Sequence, residues 1–213
     1  DFDQDNDGVD DDNDNCPNGL MLWNSNSTND HDTDGCQDSN EDIDDDNDGM
    51  NDTVDDCPVG DLNWSSNSST DHDTDGCQDS NEDTDDDNDS IMDSSDLCST
   101  GDLSWTSNSS TDYDTDGCQD SNEDNDDDND SIIDSFDLCS TGNLSWTSNS
   151  STDHDTDGCQ DSNEDLDDDN DSITDSSDLC STGDLNWTSN SSTDYDTDGC
   201  QDSNEDNDDD NDS

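Results

Sequence analysis

Ten cysteines stand at positions 16, 36, 57, 77, 98, 118, 139, 159, 180 and 200, in steps that alternate between 20 and 21 residues. Trp23, Trp64, Trp105, Trp146 and Trp187 recur every 41 residues. A period this strict describes one supersecondary unit used repeatedly, each copy packing on its neighbours instead of into a common core. The sequence reads as a single tandem array over residues 1–213, about five periods with breaks near 29, 70, 111, 152 and 193. Residues 1–8 (DFDQDNDG) fall in the same phase as residues 206–213 (DNDDDNDS), as expected of a segment from a longer array.

Composition then decides what can hold such a unit together. There are 70 Asp and Glu, no Lys or Arg, a net charge of −70 and a hydrophobic fraction of 19%. A chain of 213 residues normally builds a sizeable core, but this one lacks the side chains, and by composition alone it belongs with disordered proteins. Two patterns oppose that default. The acids sit at fixed spacings, and the cysteines are even in number and regular, as in a disulfide framework from an oxidising, extracellular setting. Metal ions and disulfides are the usual substitutes for a missing core. No stretch is long and apolar enough to span a membrane. A chain without Lys or Arg has nothing to neutralise the phosphates of a nucleic acid.

Residues Asp71–Thr111 serve as the type repeat. Loop A is DHDTDGCQDSNE (Asp71–Glu82), loop B is DDDNDSIMDSSDLC (Asp85–Cys98), and the linker STGDLSWTSNSST runs from Ser99 to Thr111. Neither a helical apolar period nor an alternating strand is present, and the density of Ser, Thr, Asn, Asp and Gly predicts turns. The recurring apolar residues are Ile91, Ile132 and Ile173, the Leu97, Leu138 and Leu179 that precede loop B cysteines, the linker Leu and the Trp. They suffice for a small cluster per repeat, not for a domain core.

Loop A satisfies D-x-[DN]-x-[DN]-G-x5-E in full, through Asp71, Asp73, Asp75, Gly76, Asp79 and Glu82. Calcium takes about six to eight oxygens in a flexible shell. Alternate side chains at positions 1, 3 and 5 turn toward such an ion, and glycine at position 6 takes a bend with positive φ. The set recurs as Asp30, Asp32, Asp34, Asp38 and Glu41, and as Asp112, Asp114, Asp116, Asp120 and Glu123. Two more copies are Asp153, Asp155, Asp157, Asp161, Glu164 and Asp194, Asp196, Asp198, Asp202, Glu205. Position 7 offers the backbone carbonyl of Cys36, Cys77, Cys118, Cys159 or Cys200.

Loop B keeps the spacing and ends in cysteine. Its copies are Asp3, Asp5, Asp7, Asp11, Asp14; Asp44, Asp46, Asp48, Asp52, Asp55; and Asp85, Asp87, Asp89, Asp93, Asp96. They continue as Asp126, Asp128, Asp130, Asp134, Asp137, as Asp167, Asp169, Asp171, Asp175, Asp178, and as a truncated Asp208, Asp210, Asp212. Five carboxylates in each of ten complete loops use 50 of the 70 acids. A loosely solvated acidic run would not keep that register ten times.

The stretch Asp3–Pro17, D-x-D-x-D-G-x-x-D-x-x-D-N-C-P, resembles a thrombospondin type 3 repeat, and Asp44–Pro58 matches it apart from Asp56 in place of the Asn. The resemblance covers most of the chain outside the Trp-bearing linkers. It implies a chain wrapped around a string of calcium ions, disulfides between successive loops and an extracellular place of action. EF-hands share the loop but need flanking amphipathic helices, which are absent from this pattern. Two features depart from the family. The linker is longer and carries a Trp, and position 6 of loop B becomes Ser90, Ser131, Ser172 and Ser213, at a cost on the order of 1 kcal/mol each if φ is positive. The expected fold is therefore irregular and mostly coil: a linear repeat array of calcium-wrapped loops with disulfides, little helix or sheet, and no conventional hydrophobic core.

Two nearest-neighbour disulfide ladders fit the spacing. One crosses the linkers: Cys16–Cys36, Cys57–Cys77, Cys98–Cys118, Cys139–Cys159 and Cys180–Cys200. The other crosses the paired loops: Cys36–Cys57, Cys77–Cys98, Cys118–Cys139 and Cys159–Cys180. The first is preferred because it closes the one segment without a metal site of its own and leaves no odd thiol. Closing a loop of about 20 residues contributes roughly 3 kcal/mol in the chain-entropy model. No C-x-x-C pair points to zinc.

Thirteen N-x-S/T sequons occur. Asn26, Asn67, Asn108, Asn149 and Asn190 hold one linker position. Asn88, Asn129, Asn170 and Asn211 hold position 4 of loop B, where the side chain is expected to point outward. Asn51, Asn63, Asn143 and Asn186 complete the set. N-glycans are expected at the two periodic sets. His31, His72 and His154 alternate with Tyr113 and Tyr195 at position 2 of loop A, an interchange that argues against a catalytic or ligand role. No residue grouping suggests catalysis. The function expected is that of a calcium-stabilised extracellular fibre, stalk or coat that self-associates into filaments or continues as a longer array. An acidic calcium buffer or mineral matrix, and a spacer for an adhesin or enzyme domain, are the other readings.

Overall fold

The computed structural model describes residues 2–207 and 209; the candidate residues Asp208, Asp210, Asn211, Asp212 and Ser213 lie outside them. Among the described residues there is no helix and no strand, only turns and bends. None of them forms a helix long and apolar enough to cross a membrane. The reason is local. Short polar side chains offer the backbone amide a nearer partner than a ladder would. Asp48 Oδ1 accepts from the Met50 amide at 2.6 Å, Asp55 Oδ1 from the Cys57 amide at 2.6 Å and Asp34 Oδ1 from the Cys36 amide at 2.8 Å.

The chain divides into two units, Asp1–Thr106 and Ser107–Ser213. In the first, each loop is closed by a backbone bond from position 9 to the residue before position 1, as from Asp52 to Ile43 (3.0 Å) and from Asp79 to Thr70 (3.1 Å). Loop B and the following loop A are clamped together across the linker. Disulfides join Cys16 to Cys36 and Cys57 to Cys77, each with a Cα–Cα distance of 5.1 Å. Beside the second, the Asp56 amide donates to the Asp75 carbonyl at 2.8 Å, and the linker is pinned by Ser66 N–H to the Asp48 carbonyl at 2.9 Å.

The second unit repeats this plan. Cys139–Cys159 and Cys180–Cys200 cross its linkers, Leu138 N–H bonds the Asp157 carbonyl and Ser148 N–H the Asp130 carbonyl, both at 2.8 Å. Cys98 and Cys118 are disulfide-bonded as well, and no cysteine is free. Disulfides of this number belong to an oxidising environment.

The interior is unusual in what fills it. Among the described residues the buried apolar side chains are Cys36, Cys77, Cys118, Cys159 and Cys200, whereas 21 Asp are buried. The apolar cluster expected per repeat does not form around the loop B leucines: Leu97 is 73% exposed, and Leu138 and Leu179 are similar. The Leu–Cys step points the leucine away from the clamp because the carboxylate and the cysteine on either side occupy it.

The His/Tyr interchange has a plain structural meaning. His31 Nε2 meets the Gly60 carbonyl at 2.8 Å, His72 the Gly101 carbonyl at 2.9 Å and His154 the Gly183 carbonyl at 2.9 Å. Tyr113 donates its hydroxyl to the Gly142 carbonyl at 2.8 Å. Either ring reaches the same acceptor 29 residues on, so position 2 of loop A ties the start of a repeat to the linker that ends it.

Candidate metal centres

Each loop coils through two left-handed residues, not one. Position 6 is positive as expected, with φ of 93° at Gly76 and 101° at Gly49. Position 4 is positive too: Asn47 at 57° and Asn88 at 57° in loop B, Thr33 at 64° and Thr74 at 62° in loop A. Asn tolerates this region, but a β-branched Thr there is strained. The double bend brings positions 1, 3 and 5 to one side. Asp3, Asp5 and Asp7, like Asp30, Asp32 and Asp34, Asp44, Asp46 and Asp48, and Asp71, Asp73 and Asp75, each bring three carboxylate oxygens within 4.8 Å of one another.

In loop B the carboxylates at positions 5 and 12, and at position 1 in the early copies, spend one oxygen on the backbone and keep the other, whereas position 3 after the first copy uses both, Asp46 accepting from Asp48 N–H and Gly60 N–H. Asp44 Oδ2 accepts from Gly49 N–H at 3.2 Å, while its Oδ1, Asp48 Oδ2 and Asp55 Oδ2 are buried and meet no donor. Asp3 Oδ1, Asp5 Oδ1 and Asp7 Oδ2 repeat this, as do Asp130 Oδ2 and Asp137 Oδ2 in the second unit. Buried, unpartnered carboxylate oxygens facing one another are the donor set of a hard cation such as calcium. Burial, and then neighbouring carboxylates, push Asp14, Asp55, Asp96 and Asp178 up to about 6 and Asp137 to about 7.

Loop A is more fully hydrogen-bonded. Asp71 Oδ1 accepts from Asp75 N–H (3.1 Å), and its Oδ2 from Gly76 N–H (3.2 Å) and the Ser66 hydroxyl (2.5 Å). The loop A cysteines give their sulfur to the disulfides and their amide to the position 5 carboxylate, which leaves the carbonyl as the only metal ligand each can offer.

The two loops across a linker bring their candidate ligands close to one another. The position 5 carboxylate of loop B faces position 1 of loop A, Asp48 toward Asp71 and Asp130 toward Asp153. The position 12 carboxylate of loop B lies against the position 6 glycine of loop A, Asp55 on Gly76 and Asp137 on Gly158. That contact explains the Ser substitutions. A side chain at Gly76 would land on Asp55, whereas a Cβ at Gly49 meets nothing within 4 Å. Loop B therefore tolerates Ser90, Ser131 and Ser172, at φ of 85°, 84° and 84°, and loop A keeps its glycine throughout.

The position 12 glutamate of loop A turns back to the preceding loop B. Glu82 Oε2 accepts from Gln78 N–H at 3.2 Å and Oε1 from Asp61 N–H. It lies beside Gly60 together with Asp46, and in the second unit Glu164 faces Asp128. Asn88, expected to point outward, is exposed, yet its side-chain amide donates to Asp73 Oδ2, as Asn47 does to Asp32. The sequon asparagines Asn26, Asn67, Asn108, Asn149 and Asn190 are all exposed.

Sequence reasoning passed over one set of acids. Asp42, a spacer between loops, and Asp45, position 2 of loop B, join Asp38 in a further group of the same tightness. Burial first, then the charge of Asp52 and its neighbours, lifts Asp45 to about 7, and Asp86, Asp127 and Asp168 likewise. The signal was in the sequence as an Asp that recurs at the spacer and at loop B position 2, but no loop motif contains it. No model of a known protein family matches the chain, and no curated protein matches it.

Proposed function

We propose that this chain is an extracellular, calcium-stabilised and glycosylated structural repeat, built like the thrombospondin type 3 repeats it resembles and serving as a fibre, stalk or surface coat. The observation that carries the reading is the interior: carboxylates occupy the place of a core. Two like charges 4.8 Å apart repel by about 3–4 kcal/mol at an effective dielectric near 20, hence about 10 kcal/mol for a triad. That is comparable with the whole stability of a domain. The chain has no Lys or Arg to offset it, so cations are the counter-charge, and calcium suits an all-oxygen set. The ions are part of the fold and not a signal it senses. The exposed linker sequons carry glycans, and the array self-associates or continues, without catalysis.

The test is to image the protein while counting its calcium, with and without chelator. Regular filaments holding ten or more ions per chain and dissolving with chelator support the proposal. Filaments indifferent to chelator refute calcium as the structural element. Shapeless chains in both conditions favour an acidic buffer or mineral matrix. Glycopeptide analysis finding bare Asn67 and Asn108 removes the glycan part.

A further inference from the structure

Where loop A passes into the next loop B, four carboxylates from separate places converge: Asp79, Asp83, Asp86 and Asp93. Three of them are fixed by one oxygen. The His72 amide holds Asp79 Oδ1 at 2.9 Å, the Thr84 and Asp85 amides hold Asp83 Oδ1 at 2.7 and 3.0 Å, and the Asp86 amide holds Asp93 Oδ1 at 2.9 Å. Two further oxygens are enclosed at the junction. Asp83 Oδ2 and Asp86 Oδ1 are buried and take no hydrogen bond, and Asp86 as a whole is only 8% exposed. At the preceding junction Asp38, Asp42 and Asp45 bring their oxygens within 4.8 Å of one another. In the second unit Asp127 Oδ1 and Asp168 Oδ1 are again buried without a donor, and Asp168 is 8% exposed.

We propose that each junction is a calcium site of its own, distinct from the D-x-D-x-D loops, with Asp86 and its counterparts Asp45, Asp127 and Asp168 as central ligands. The proposal rests on the calcium reading above and adds a second class of site to it. A single shared proton would leave three negative charges in the pocket, whereas a divalent ion coordinated by four preset carboxylates matches the hard oxygen shell calcium takes. Position 9 of each loop thereby acquires its role: its second oxygen serves the junction. Disulfides clamp loop B to loop A across the linker, and junction ions clamp loop A to the next loop B, so the two fasteners alternate along the repeat.

The experiment is a calcium count by elemental mass analysis on the 213-residue chain at pH 8, as wild type and as the variant D45N/D86N/D127N/D168N. A control, D12N/D61N/D102N/D184N, removes the same charge from the tail of loop B and the linkers. The junction variant is expected to hold four fewer ions, with the disulfide map unchanged and the control at the wild-type count. An unchanged count in the junction variant overturns the proposal, and so does an equal loss in the control. Should the fourfold variant scramble its disulfides, the single D86N replaces it, with one ion lost as the expected result and none as the overturning one. A wild type holding fewer ions than its ten complete loops would sink the calcium reading itself, which the wild-type measurement reports independently of the variants.

Discussion

Replacing the position 6 glycine with alanine should have sharply different effects in the two loop types. At Gly49 the cost is that of placing an L-residue at φ 101°, about 1–2 kcal/mol, because the Cβ enters open space. At Gly76, with φ 93°, the same cost applies and the Cβ also lands on the Asp55 carboxylate. Asp55 must swing aside, giving up the bond it accepts from Cys57 N–H at 2.6 Å. A hydrogen bond to a charged group is worth about 1.5–3 kcal/mol, and a candidate metal ligand is lost with it. The difference between Gly76→Ala and Gly49→Ala is then about 2–3 kcal/mol, roughly 30- to 150-fold in an equilibrium. Amide hydrogen exchange followed by mass spectrometry in saturating calcium reads this directly, on peptides covering residues 44–55 and 71–82. Exchange should accelerate roughly 5- to 30-fold in the Gly49 variant's own loop and a further 30- to 150-fold beyond that in the Gly76 variant's. Equal acceleration in the two would refute the steric account of why loop B alone carries serine.

Three further outcomes follow from the geometry. His72→Tyr should leave thermal stability within a few tenths of a kcal/mol, since Tyr113 makes the same bond, while His72→Phe should lose about 1 kcal/mol; calorimetric melts giving the two variants equal losses would show that the ring and not its donor matters. Thr74→Asn should gain about 1 kcal/mol by relieving a β-branched residue at φ 62°, and a chelator titration whose midpoint does not move would exclude strain at position 4. In the absence of calcium, Asp45, Asp86, Asp127 and Asp168, raised to about 7 by burial and then by neighbouring carboxylates, stabilise the fold only while protonated. Their contribution is complete below about pH 4 and is lost as pH rises through about 7. The radius of gyration from small-angle scattering should therefore grow across that window in chelator, and a flat profile would contradict it.

The parts of this molecule that could be read from the sequence are those set by local spacing. Asp71, Asp73 and Asp75 announce their shared face because alternate residues in one tight coil must converge, and the excess of turn-forming residues announces the absence of helix and strand. The linker-crossing disulfides are legible on two simple grounds, that the linker has no metal site of its own and that this ladder leaves no odd thiol. What stayed hidden depends on how one loop lies against another. Glu82 completes its own motif on paper, yet its carboxylate is held by Asp61 N–H, 21 residues earlier. Asp86 looks like one more acid in a run, and only the path of the chain brings it against Asp79 and Asp93. Thr74 gives no sign of a left-handed conformation, because that is imposed by the surrounding bonds against its own preference. Leu97 was expected inside on hydrophobicity alone, and lost its place to carboxylates.

The cross-loop ties described here join residues 14, 21 or 29 positions apart, as in Gly60 to Asp46, Asp61 to Glu82 and His72 to Gly101. Every one of these spans is shorter than the 41-residue period. A change in repeat number by whole units therefore leaves every one of these ties with a partner of the same kind at the same spacing, and no contact has to be reinvented.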